Sequence, residues 1–185
     1  GHAYYGFEKS VAQALRDQDR LAACELQPDE AAALKELFAH DARVAVHARD
    51  GYTAMKAMLP PKLGATKFAR GLVLIDPPYE VQDNEYPMII STPQATYAIW
   101  YPIKLRRSLQ PFFRKAAALP AKSVLLAELQ IRADDSPLRL NGSGMVIVNP
   151  PWQFDQQIAP ALPLLKKTLG EAGAMTRLEW LKTDS

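Results

Sequence analysis

A chain of 185 residues, 48% hydrophobic and 23% charged, carries enough apolar material for a sizeable core, and this balance excludes a disordered segment. The formal net charge of +2 excludes a globally polybasic protein, so a polyanionic partner has to be met by a local patch. No apolar run approaches the roughly 20 residues of a membrane helix and no signal-peptide pattern opens the chain, so the expectation is a cytoplasmic protein without membrane contact.

The predicted elements alternate between strand and helix, the mark of an α/β protein with a mostly parallel sheet and helices on both faces. The first strand is expected at Leu21–Glu25, and Pro28 then opens a helix with Asp29 and Glu30 in its first turn. Its apolar side is read as Ala33, Leu34, Leu37 and Phe38. Cys24, the single cysteine, lies in the first apolar run and reads as a small packed residue. Arg43 to His47 is the next strand, and Gly51 to Met58 a short helix that turns Tyr52, Met55 and Leu59 inward.

Leu72-Val73-Leu74-Ile75 reads as a buried central strand, followed by Asp76-Pro77-Pro78-Tyr79. Tyr97 to Trp100 is a further strand. A basic helix is expected from about Ile103 to Leu119, kinked or divided by Pro111. Val124 to Ile131 is strand-like and Arg132 to Gly142 an exposed connection. Met145 to Val148 is a strand ahead of Asn149-Pro150-Pro151-Trp152, Phe154 to Leu169 is helical with irregularities at Pro160 and Pro163, and Thr176 to Leu181 is the last strand. With no repeat or linker in view, residues 1–185 are expected to form one domain. His2, His40 and His47 have no partner at ligand spacing, so no metal site is expected.

Ligands of open α/β sheets sit beyond the carboxyl ends of the strands, which directs attention to Glu25, Asp50-Gly51 and Asp76 to Tyr79. A carboxylate at a strand end accepts both hydroxyls of a ribose; Glu25 is placed for that, or for satisfying the backbone N–H groups of the following helix. Asp50 with Gly51 suits the adenine end of a nucleotide, glycine letting the backbone approach the ring, or Asp50 is a plain helix cap. Asp76 and the Pro77 carbonyl present two acceptors for an exocyclic amine, with the Tyr79 ring as a stacking surface. Neither proline can donate to a sheet ladder, so the same four residues also read as a strand stop. Asn149 to Trp152 has the same polar-Pro-Pro-aromatic form and is expected to end an edge strand, with Trp152 packing. Lys104, Arg106, Arg107, Arg114, Lys115, Lys122 and Arg132 face the single acid Glu128 between residues 101 and 132, a positive sector that suits a phosphate backbone or a solvated helix face.

These segments resemble the class I S-adenosylmethionine-dependent methyltransferases whose motif is Asp/Asn-Pro-Pro-Tyr/Phe/Trp. Leu74 to Glu80, Trp100-Tyr101-Pro102, Gly142-Ser143-Gly144-Met145 and Asn149 to Trp152, in this order, are similar to the RlmJ family of 23S rRNA adenine-N6 methyltransferases, a family also described as serving the use of external DNA. The resemblance runs from about Tyr4 to the C-terminus. It implies a Rossmann-like fold that carries a methyl group from S-adenosylmethionine to an adenine N6 of 23S rRNA. It further implies that Glu25 binds the cofactor ribose, Asp50 and Gly51 its adenine, and Asp76, Pro77, Pro78 and Tyr79 the target base, with Asp76 also touching the cofactor, and Lys104, Arg106, Arg107, Arg114 and Lys115 on the RNA. The family's glycine-containing loop after its first strand has no counterpart here, so Leu21–Glu25 is expected as the second strand of that fold, and the connection from Tyr79 to Trp100 is short for the family. Two other readings compete: a protein that binds or processes external DNA, and a methyltransferase fold that binds without catalysing.

Overall fold

The computed structural model describes residues 6–59, 62–63, 66–67, 70–76, 95–134 and 139–183. The chain divides into two compact units, Gly1–Leu59 and Pro60–Ser185.

In the first unit, helix α1 (Gly6–Ala14), which no motif announced, precedes β1 (Leu21–Glu25), α2 (Pro28–Leu37), β2 (Val44–Ala48) and α3 (Gly51–Met58). β1 and β2 pair in parallel from Leu21↔Val44 to Glu25↔Ala48, so their C-terminal ends lie side by side. α2 forms the crossover: Pro28 at its start presets φ where an N–H would be unpaired anyway. Ala31 and Leu34 are the side chains it buries, while Leu37 is exposed, so the inward stripe is rotated from the expected one. Arg43 fastens α1 to this pair. Its guanidinium is bidentate on Asp41, at 2.9 and 2.7 Å, and donates to the Leu15 carbonyl at 2.7 Å, at the end of α1 where carbonyls lack helical partners. The same ion pair lowers the Asp41 carboxyl to about 2.

The second unit contains a two-residue ladder, β3 (Lys62–Leu63) with β4 (Thr66–Lys67), and a five-stranded sheet. Its strands are β5 (Gly71–Ile75), β6 (Ala95–Ile103), β7 (Val124–Gln130), β8 (Gly142–Val148) and β9 (Met175–Lys182), in the spatial order β5-β6-β8-β7-β9. β5 and β6 are parallel; β8 runs antiparallel to both β6 and β7, and β9 antiparallel to β7. β5, β6 and β7 therefore share one direction, and β8 is inserted between two of them. The mixed α/β class stands. The expected mostly parallel pairing does not extend to this sheet, because inserting β8 converts its neighbours' contacts to antiparallel ladders. Among the described strands of this sheet β5, like β9, is an end strand, with Leu72 71% exposed, rather than a buried central one.

The predicted basic helix from Ile103 is replaced by three pieces. β6 continues to Ile103, since Tyr97, Ile99, Tyr101 and Ile103 all project into the core. A 3-10 turn (Arg106–Leu109) follows, and α4 (Gln110–Ala117) begins there, with Pro111 in its first turn, so that this proline starts a helix instead of kinking one. Phe112 and Phe113 of α4 cover one sheet face, their rings 5.1 and 5.7 Å from that of Tyr101. On the other face Trp180, opposite Leu125 in the ladder, donates its indole N–H to Asp155 at 3.3 Å. Asp155 belongs to α5 (Phe154–Ile158), which leads into α6 (Ala161–Leu169). Helices thus lie on both faces. No described helix is long and apolar enough to cross a membrane.

Candidate functional site

Glu25 and Asp50 follow neighbouring parallel strands and occupy the same end of that ladder. Each also has a local task. Glu25 Oε1 accepts the Gln27 N–H at 2.7 Å, just ahead of α2. Asp50 caps α3: its Oδ1 accepts both the backbone N–H and the hydroxyl of Thr53 at 2.7 Å, and those bonds hold its carboxyl below the ordinary aspartate value. A Cβ added to Gly51 would meet only the Cys24 Cβ, at 4.0 Å. Among the described residues, packing therefore does not require a glycine there. Burial pushes the Cys24 thiol above its ordinary value.

Asp76 lies in the second unit, one residue past β5. Ile75 pairs with Ile99, so Asp76 stands level with Trp100, near the C-terminal end of β6. Its side chain reaches solvent, and desolvation by the surrounding protein raises its carboxyl above the ordinary aspartate value. Pro77, Pro78 and Tyr79 lie outside the described residues.

The lookalike segment is placed differently from expectation. β8 pairs with strands on both sides and is no edge strand, and because it runs against β5, its C-terminal end meets the start of β6. Asn149 is consequently at the end of the sheet opposite to Asp76, about 13 Å away along the strands at the usual rise per residue. Three of its polar groups are committed: Oδ1 accepts the Lys122 N–H at 3.2 Å, its backbone N–H donates to the Ser123 carbonyl at 3.0 Å, and its carbonyl accepts the Thr96 hydroxyl at 2.8 Å. An amide oxygen so used is a fastener between β6, β7 and β8. Trp152 does not pack; it is 83% exposed.

The positive sector is divided by the fold. Lys104 and Arg107 are exposed beyond the C-terminal end of β6, the Asp76 end. Arg114 and Lys115 are exposed in the last turn of α4, which returns the chain to the start of β7, and Lys122 is exposed just ahead of that strand. Arg106 is withdrawn from the sector: Nη1 bonds Glu128 Oε2 at 2.5 Å and Nη2 reaches Gln130 Oε1 at 3.3 Å. Arg132 is ion-paired with Glu171.

Sequence reading did not recognise the task of Glu128, which is 1% exposed. In one row across four strands, Tyr101 of β6, Gly144 of β8, Glu128 of β7 and Arg177 of β9 stand in register. The Tyr101 hydroxyl donates to Glu128 Oε1 at 2.8 Å, crossing β8 through the space Gly144 leaves; a Cβ on Gly144 would lie 2.2 Å from the tyrosine ring. Burial, then the Glu128 charge, push the Tyr101 phenol far above its ordinary value, so it remains a donor. Arg177 stands 3.8 Å from Glu128 and over the Phe113 ring at 5.3 Å. The signal was present in the sequence as one acid amid seven cations, but strand register is needed to turn it into a contact. Asn141, assigned to an exposed connection, is fully buried: it receives Ile131 N–H on its carbonyl and donates to the Ile103 and Lys104 carbonyls.

A cleft of about 380 Å³ lies at the corner of α2 and β2, lined by Lys35, Phe38, His40, Asp41 and Val44 among others. It is at the start of β2, away from Glu25 and Asp50, and Asp41 is already held by Arg43, so it has little that is aimed at a ligand.

Acids thus stand at or just past strand ends in each of the two units, the place where open α/β sheets receive ligands, and sequence comparison supplies the family. The sequence pattern of the family described as Ribosomal RNA large subunit methyltransferase D, RlmJ, matches residues 1–182, and the chain belongs to that family. It is 37% identical over 187 aligned residues to Ribosomal RNA large subunit methyltransferase J of Haemophilus influenzae, covering 96% of this chain and 64% of that protein. Against the protein of the same name from Escherichia coli the identity is 35% over 179 residues, covering 92% and 62%. A crystal structure of a Legionella pneumophila protein superposes with a TM-score of 0.75 at 30% identity, over 91% of this chain and 63% of that one. The chain thus spans just under two thirds of the length of these relatives.

Proposed function

We propose that the chain belongs to a single Rossmann-like class I methyltransferase domain that transfers a methyl group from S-adenosylmethionine to the N6 of an adenine in 23S rRNA. The observation that carries this reading is Asp76 itself: an accessible carboxylate past the end of β5, in the chain's one Asp-Pro-Pro-Tyr segment, within a chain matched along 1–182 by the RlmJ family. Glu25, Asp50 and Gly51 fit the cofactor: two acids at one end of a parallel ladder, and a glycine at the start of α3. When bound, the cofactor supplies an electrophilic sulfonium methyl.

The protein's share is binding and orientation. An adenine N6 is a poor nucleophile because its lone pair is delocalised into the ring. The Asp76 carboxylate and the Pro77 carbonyl would each accept one N6–H, favouring a more tetrahedral nitrogen whose lone pair points at the methyl. Tyr79 would stack on the extruded base. Lys104 and Arg107, at the Asp76 end, would hold the adjoining phosphates, with Arg114 and Lys115 further along the strand.

An Asp76→Ala protein is expected still to bind S-adenosylmethionine in calorimetry while losing methyl transfer to 23S rRNA by at least about a hundredfold, the order found when one preorganised hydrogen-bonding group is removed from an active site. Wild-type transfer by this variant would sink the reading. The competing assignment, a DNA-processing protein, predicts DNA affinity or cleavage that does not depend on S-adenosylmethionine, and the same transfer assay run beside a DNA-cleavage assay separates the two.

A further inference from the structure

We propose that Trp100 is a stacking residue for the target adenine: its indole stands beside Asp76 and meets the face of the base whose amine Asp76 accepts. This rests on the reading of Asp76 above and adds the surface that favours a purine there.

The first support is register. Ile75 of β5 pairs with Ile99 of β6, and both side chains are buried. Side chains alternate along a strand, so the next residue of each, Asp76 and Trp100, stands on the opposite face, level with the other on neighbouring strands. Those strands lie about 4.8 Å apart, which puts a base bonded through its exocyclic amine to the Asp76 carboxylate within reach of the Trp100 ring.

The second support is local cover. Trp100, Met145, Ala127 and Leu178 form one row across β6, β8, β7 and β9, and each is half-buried. Two residues further from the Asp76 end, on the same face, Ala98, Ile147 and Leu125 are buried. On the reverse face the row through Tyr101, Gly144 and Glu128 is buried as well. α6 lies against β7 and β9, on the far half of the sheet from Asp76. The partial opening therefore coincides with the carboxylate.

The third support is chemical fit. The Asp76 carboxyl is raised by desolvation, with no described cation or donor contributing to the shift, so its acceptor oxygens stand at a drier surface without a partner. A planar base uses both groups at once, its edge on the carboxylate and its face on the indole. Extruded bases are held in this way, by hydrogen bonds at one edge and stacking on aromatic rings. A half-buried tryptophan also loses little freedom when a base settles on it.

The test uses the full-length protein, tritium-labelled S-adenosylmethionine and 23S rRNA transcribed in vitro, with single-turnover transfer per folded molecule read over a range of RNA concentrations. Phosphate contacts dominate RNA affinity, so Trp100→Ala should lower the limiting rate about tenfold while the half-saturating RNA concentration changes less than about twofold. Trp100→Phe should recover most of that rate and Trp100→Leu should not, because leucine fills space without offering a stacking face. Equal recovery by leucine and phenylalanine would make Trp100 a packing residue and overturns the proposal. An unchanged limiting rate in Trp100→Ala overturns it too, and leaves the enzyme reading standing. Absence of transfer by the wild-type protein would overturn both.

Discussion

Asp76-Pro77-Pro78-Tyr79 and Asn149-Pro150-Pro151-Trp152 share one pattern, and each follows a strand of the same sheet. Direction separates them. β5 and β8 run oppositely, so the two segments leave the sheet at opposite ends. Asp76 carries its carboxylate into solvent, while Asn149 spends its amide oxygen, N–H and carbonyl on the neighbouring chain. A four-residue motif is therefore an address only when its polar atoms remain available, and hydrogen-bond accounting decides that better than resemblance between motifs.

The contrast can be tested by breaking what holds each end. The largest effect is expected at the Asp76 end, where Arg106→Ala would leave the buried Glu128 carboxylate without its 2.5 Å partner. The loss should be about 3 kcal/mol of unfolding free energy, at the low end for a severed buried pair because Arg177 and Tyr101 remain near Glu128. Urea denaturation measures it, and a change under about 0.5 kcal/mol, the range of an ordinary surface substitution, would show that Arg106 is not structural after all.

A smaller effect is expected at the other end. Asn149→Ala leaves the Lys122 N–H without its acceptor and puts a β-carbon residue with no side-chain hydrogen bond at φ 50°. It should cost about 1–2 kcal/mol of stability, the range for holding an ordinary side chain in the left-handed region, since water can replace the acceptor at the exposed Lys122 N–H. Transfer per folded molecule should stay at the wild-type level, in contrast to Asp76→Ala. A selective loss of transfer would return Asn149 to the catalytic candidates.

The subtlest effect is on pH dependence. The amine-accepting form of Asp76 is the carboxylate, and desolvation raises its pKa, so protonation should remove activity at a higher pH than for an ordinary aspartate, near 3.9. Asp50 is shifted the other way by Thr53 and stays ionised further into acid. The acid limb of kcat/KM should accordingly lie above the ordinary aspartate range, with cofactor affinity persisting below that limb. A limb at or below the ordinary value would show that Asp76 is not the acceptor.

Much of the fold was legible because local signals were unambiguous. Pro28 with Asp29 and Glu30, the Asp50 cap and the apolar runs at Leu21, Gly71 and Val124 each announced an element within a residue or so of its place. The helix drawn through Ile103 failed because a buried strand and a helix share apolar runs, and only packing against Phe112 and Phe113 shows β6 continuing. α1 went unassigned since its partner, Arg43, lies about thirty residues away in sequence.

By itself the sequence determined the α/β class, the strand-end acids Glu25, Asp50 and Asp76, and the family to which they belong, because those depend on residue type and short spacing. The tertiary structure alone decided that β8 is inserted between β6 and β7, that Arg106 serves Glu128, and that Asp76 and Asn149 stand at opposite ends of the sheet. Register and strand direction come from contacts between residues far apart in the chain, and no local pattern encodes them.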